Sequence, residues 1–134
     1  MKIEKLLVRL TAVFFLVYGV LFALFPALYS DLVTGSVPST ASGLIDMRAT
    51  YGGMAIAVGI VMLLLANNVK TLSLGLLTMI VVLLAMAFTR TIGIIVDGNP
   101  NGLMYTYLAA EIVPSIVAIV LYRRMGGGLS ALGR

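Results

Sequence analysis

The chain has 134 residues, 61% hydrophobic and 10% charged, with a formal net charge of +4 and a mean hydropathy of +1.14. A soluble domain carries about 25% charged and about 45–50% apolar residues, so too few polar side chains remain here to cover a water-facing surface. That excludes a soluble globular domain and a disordered chain, and the absence of cysteine excludes a disulfide scaffold. Lacking both Cys and His, the chain also has no ligands for a thiolate or imidazole zinc site, an iron–sulfur cluster or a His-ligated haem, and no Ser–His or Cys–His nucleophile. No metal and no cofactor is expected.

A membrane-spanning helix needs roughly 20 apolar residues. Four such segments are predicted, at about 6–25, 44–66, 72–96 and 103–122. The expected fold is therefore all-α: one four-span domain, an integral membrane four-helix bundle. The first span stops near Pro26 and is expected to be retained, because no small-x-small cleavage pattern precedes that proline. A Ser/Thr/Gly/Pro-rich loop is predicted over Tyr29–Gly43 and a tight polar turn over Asn67–Thr71. The third connection, Asp97-Gly98-Asn99-Pro100-Asn101-Gly102, is dense in turn formers and makes the third and fourth helices antiparallel neighbours. A tail at 123–134 follows, whose Gly126-Gly127-Gly128 run reads as flexible.

Charge sets the expected orientation. Lys2, Lys5, Arg9, Lys70, Arg123, Arg124 and Arg134 fall on one side, seven of the nine basic residues. The opposite rim holds Asp31, Asp46 and Asp97. The positive-inside rule then puts both termini in the cytoplasm. The +4 reflects this topology together with attraction to anionic lipid, worth about 1 kcal/mol per residue near the surface. It is not a nucleic-acid footprint.

Three charges lie within the spans: Arg48, Arg90 and Glu111. Each costs about 2.5–3.5 kcal/mol near a helix centre, so such residues normally face the protein interior and find partners. At 1.5 Å per residue, Glu111 lies roughly 12 Å from the outer edge, Arg90 roughly 9 Å and Arg48 roughly 6 Å, levels that long side chains can bridge. Helical spacing sets Met104, Tyr107, Glu111, Ser115 and Tyr122 on one stripe of the fourth span, with Asp97 on the face of Arg90. On the second span Arg48, Tyr51, Gly52, Ala55 and Gly59 share a face, with Ala49, Gly53 and Ala57 beside it. Gly52, Gly53, Ala55 and Gly59 read as helix-packing residues, since small residues four apart let backbones approach in lipid. An aromatic stripe of Phe14, Tyr18, Phe22 and Phe25 on the first span walls the same space.

Two readings of the cluster Arg48, Tyr51, Arg90, Tyr107, Glu111 and Asp97 stand side by side. In the structural one, Arg90 pairs with Glu111, Arg48 pairs with Asp46 or Asp97, and the network fixes helix register. In the functional one, the cluster grips the polar end of an amphiphile whose tail lies along Phe14, Tyr18 and Met86.

The run Arg48-x-x-Tyr51-Gly52-Gly53-x-x-x-Ala57-x-Gly59 is joined by Arg90-x-x-Gly93, Asp97-Gly98-x-Pro100 and Glu111. Together they resemble a bacterial family of small four-helix membrane proteins known as a domain of unknown function, DUF4345, over nearly the whole chain. A looser likeness to DoxX-type four-helix proteins rests on architecture alone. The resemblance implies the four-helix fold, a bacterial inner (cytoplasmic) membrane, and that Arg48, Tyr51, Gly52, Gly53, Arg90, Asp97 and Glu111 belong to the family motif. It implies no activity.

The function expected is non-catalytic: the chain binds a lipid-like or other small amphiphile, or stabilises the local membrane, with membrane lipids as partners. An accessory subunit of a larger membrane complex is the first alternative, with a membrane-protein partner or a homo-oligomer. The second is a small oligomeric transporter coupling protons at Glu111. Small multidrug exporters share four spans and one membrane acid, but place that acid in the first helix and show little charge bias. Isomerase-type chemistry at Glu111, with Tyr107 or Tyr51 as donor, comes last because one carboxylate is thin equipment for it.

Overall fold

The computed structural model describes residues 2–126, which are helical apart from short connections and contain no strand. In chain order the helices are α1 (Lys2–Leu24), α2 (Pro26–Thr34), α3 (Ala41–Met47), a π-helical segment (Arg48–Gly53) leading straight into α4 (Met54–Asn67), α5 (Leu72–Asp97) and α6 (Gly102–Arg124). Four helices are long and apolar enough to cross a membrane: Lys2–Leu24, Ala41–Asn67, Leu72–Asp97 and Gly102–Arg124. Each contains the expected span and overruns it by a few residues, except that the first ends at Leu24. The expected tail begins later than 123, because Arg123 and Arg124 close the last turn of α6, where cations meet the negative end of the helix dipole. From Gly127 onward, Gly128 included, the tail lies outside the described residues.

The expected loop over Tyr29–Gly43 is half helix. Pro26 does not simply end the first span. It occupies the first turn of a new helix, where its missing N–H and fixed φ are an advantage. Pro26, Ser30 and Val33 are the buried residues of α2. Gly35 terminates it with φ +75°, its N–H donating to the Asp31 carbonyl. The Ser30 hydroxyl, fully buried, donates to the Ser36 carbonyl at 2.6 Å and so folds the chain back after the helix. Thr40 then caps α3, its hydroxyl accepting from the Gly43 N–H at 3.1 Å.

The chain divides into two compact units, Leu10–Val61 and residues 2–9 with 62–126. In the first, the body of α1 meets the second span through glycines. A Cβ on Gly52 would lie 2.9 Å from the Ala23 nitrogen, and one on Gly59 would lie 2.7 Å from Leu16 Cγ and 2.9 Å from the Ala12 carbonyl oxygen. Ala12, Leu16 and Ala23 thus lie along one face of α1 at helical spacing. Two helices approach this closely only where side chains are absent, which is how spans pack in lipid without a hydrophobic drive.

In the second unit, Leu72, Gly75, Leu76, Met79, Ile80, Leu83 and Ala87 form the buried stripe of α5, recurring at three- and four-residue steps. Glu111, Ser115, Ala118 and Leu121 do the same on α6. The turn between them uses positive φ at Gly98 (67°) and Asn99 (41°), the two residue types that tolerate it best. Asn101 then caps α6 by accepting from the Met104 N–H at 3.3 Å. At the other end of this unit, Arg9 Nη2 donates to Asn67 Oδ1 at 2.7 Å, tying the start of α1 to the end of α4.

Candidate functional site

The unit of residues 2–9 and 62–126 contains a buried ion pair. Glu111 is 4% exposed, on α6 one turn before Ser115. Arg90 meets it from α5 as a fork: Nε lies 3.1 Å from Oε1 and 3.0 Å from Oε2, and Nη2 lies 2.6 Å from Oε1. Parallel N–H bonds to one carboxylate are the strongest geometry an arginine offers and set the relative rotation of the two helices. Arg90 Nη1 donates to Met104 Sδ at 3.3 Å, and the guanidinium carbon sits 5.3 Å from the centre of the Tyr107 ring. Met104, Tyr107 and Glu111, predicted on one stripe, therefore converge on a single cation. The Arg90 side chain keeps 20% of its surface exposed, so one edge of the pair remains reachable while the carboxylate is closed off.

Local sequence explains how α6 delivers Glu111. Pro114 has no N–H to pair with the Ala110 carbonyl, which loosens the turn holding Glu111. The buried Ser115 hydroxyl donates to the Glu111 carbonyl oxygen at 2.6 Å, a back-bond that bends helices slightly. Asp97 stands exposed at the C-terminus of α5, its Oδ2 3.7 Å from where a Cβ on Gly93 would lie.

In the unit Leu10–Val61, Arg48 is exposed and its Nη1 donates to the carbonyl oxygens of Ala23 and Leu24, the latter at 3.2 Å. The expected carboxylate partner is replaced by backbone. The reason lies in Pro26: α1 ends here, its last carbonyls lack intrahelical donors, and a cation is favoured at that negative pole. Asp46 contributes only its backbone carbonyl, to the Thr50 hydroxyl at 2.7 Å. Tyr51 stacks on Phe22 with centroids 5.2 Å apart and planes at 27°. Phe22 also meets Tyr18 at 4.8 Å and Tyr29 at 5.9 Å, and Phe14 stacks on Tyr18 at 6.0 Å. Phe25, expected in this stripe, is 54% exposed.

Among the packing residues, Gly52, Ala55 and Gly59 are buried. Gly53 is not. It is exposed, and a Cβ there would meet only the Arg48 carbonyl at 3.9 Å. Gly53 lies about 100° round the helix from the buried Gly52, on the stripe of Ala49 and Ala57, which are exposed as well. Gly19 on α1 is the tight contact in its stead.

The family described as Domain of unknown function (DUF4345) matches residues 3–122. The chain belongs to this family. The match takes in all four apolar helices to within two residues of the end of α6, and with them Arg48, Tyr51, Arg90, Asp97 and Glu111. No curated protein and no solved structure matches the chain.

Sequence reasoning missed the π-helical segment, helix α2 and the partner of Arg48. The first left a trace in the Gly52-Gly53 pair within an apolar helix, and the second in the Pro26…Gly35 spacing. The third left only Pro26, which frees the last carbonyls of α1 but does not say which donor meets them.

Proposed function

We propose that this membrane protein is non-catalytic and holds the uncharged polar end of a small amphiphile against Arg90. The proposal includes a bacterial inner membrane with both termini cytoplasmic, supported by the seven basic residues on one side. One observation carries the binding reading: Arg90 Nη1 donates to Met104 Sδ at 3.3 Å beside a fully engaged Glu111. A thioether is a weak acceptor. A carbonyl or hydroxyl oxygen of a ligand replaces it with gain, and methionine swings aside easily. Glu111 already neutralises the cation, so an anionic head would meet a closed carboxylate. An uncharged head does not.

Native mass spectrometry of the protein, extracted gently from its own membrane, tests this. The comparison is with Arg90→Met/Glu111→Leu, in which apolar side chains replace both charges and neither is stranded. A neutral small molecule retained by the parent and absent from the double variant supports the reading. The same molecule at equal occupancy in both overturns it, as do stoichiometric partner proteins with no small molecule.

A further inference from the structure

The geometry points to a second binding position: we propose that Arg48 holds a phosphate group, that of a phospholipid, through the Nε and Nη2 edge of its guanidinium. Guanidinium carries five N–H donors in a fixed plane. The two on Nη1 are directed to the carbonyls of Ala23 and Leu24 at the end of α1. That anchor fixes the plane of the group. Nε and Nη2, on the opposite edge, make no hydrogen bond among the described residues. Their two parallel N–H bonds form the fork that matches two oxygens of a phosphate.

Depth and surroundings favour a lipid as its source. Arg48 bonds the last carbonyls of a helix that spans Lys2–Leu24, so it stands at the level where the first span ends. Tyr51 is 46% exposed, and tyrosine rings, apolar with a polar tip, settle where headgroups meet acyl chains. Asp31 and Asp46 are both exposed and neither takes a hydrogen bond from Arg48, so the cation keeps its charge for an outside anion. The π-helical turn that starts at Arg48 is a feature found frequently at functional sites.

The test uses the full chain in uncharged detergent, stripped of lipid, then titrated with phosphatidylglycerol or with a diacylglycerol of the same acyl chains. Binding is read by native mass spectrometry for the parent, Arg48→Lys and Arg48→Gln. The parent is expected to bind phosphatidylglycerol about tenfold more tightly than Arg48→Lys, the worth of one charge-assisted bond. Lysine keeps a cation for the α1 carbonyls but lacks the fork, so it serves even if Arg48→Gln fails to fold. Diacylglycerol should bind weakly and equally to all three. Inorganic phosphate should not displace the lipid; displacement with retained dependence on Arg48 would keep the fork and make free phosphate its ligand. Equal affinity for phosphatidylglycerol in the parent and Arg48→Lys would overturn the assignment. So would diacylglycerol binding to the parent as tightly as the phospholipid, a comparison that needs no variant.

Discussion

Gly19 and Gly52 meet backbone to backbone: a Cβ on Gly19 would lie 2.7 Å from the Gly52 carbonyl oxygen and 2.8 Å from the Ile56 nitrogen. No rotamer change relieves such a clash, because both neighbours are main chain. Gly19→Ala and Gly52→Ala are each expected to cost about 1–3 kcal/mol, the usual penalty of overpacking. Gly53→Ala is the control. Its Cβ has room, and alanine is the better helix former, so stability should hold or rise by up to about 1 kcal/mol. Unfolding in mild detergent, followed by circular dichroism, ranks the three. A Gly53→Ala loss as large as that of Gly19→Ala would contradict the contact assignment.

The fork between Arg90 and Glu111 should behave as one unit. Arg90→Ala leaves a buried carboxylate without its cation, and Glu111→Gln leaves the guanidinium without its anion. Each is expected to destabilise strongly, the alanine change by about 3–5 kcal/mol. Arg90→Met and Glu111→Leu, made singly and together, form a closed cycle in which the double should cost less than the sum of its two singles. The double-mutant cycle measures this directly. Additive losses would mean that the two side chains do not depend on each other.

The four spans were legible because hydropathy over twenty residues leaves little choice of structure, and the termini moved only by a few residues. Arg90 and Glu111 were legible as charges in apolar runs, and their pairing followed from similar depth and facing phase. Arg48 is legible as a charge in the second span, but its backbone partners are not. Pro26 ends α1 and exposes its last carbonyls, and an arginine satisfies those as well as it satisfies Asp46. The π-helical segment escaped because phase over Arg48–Gly53 is judged from a few residues in a helix with apolar side chains on every face. Helix α2 is hard to see because a proline marks the end of one helix as readily as the start of the next, and only Gly35, nine residues later, marks the far end.

Asn101 holds the start of α6, and with it the position of Met104 and Tyr107 against Arg90. Its side chain accepts from the Met104 N–H at 3.3 Å. Asn101→Ala should cost about 1 kcal/mol, whereas Asn101→Asp should keep the cap and add a favourable charge at the helix N-terminus. Hydrogen exchange of the amides in the first turn of α6 reports the local effect. Faster exchange in Asn101→Ala than in Asn101→Asp is the expected order, and equal rates would remove the cap from the account.

Orientation can be read without background, because the chain has no cysteine. Ser39 lies exposed between α2 and α3, and Val69 is 57% exposed in the turn between α4 and α5, where Lys70 follows. In the proposed orientation the two connections lie on opposite sides of the membrane. A membrane-impermeant maleimide applied to intact spheroplasts should label Ser39→Cys at once and Val69→Cys only after permeabilisation. The reverse pattern would put both termini outside. Equal labelling of both before permeabilisation would mean that the chain inserts in two orientations, and that the seven basic residues do not set its topology.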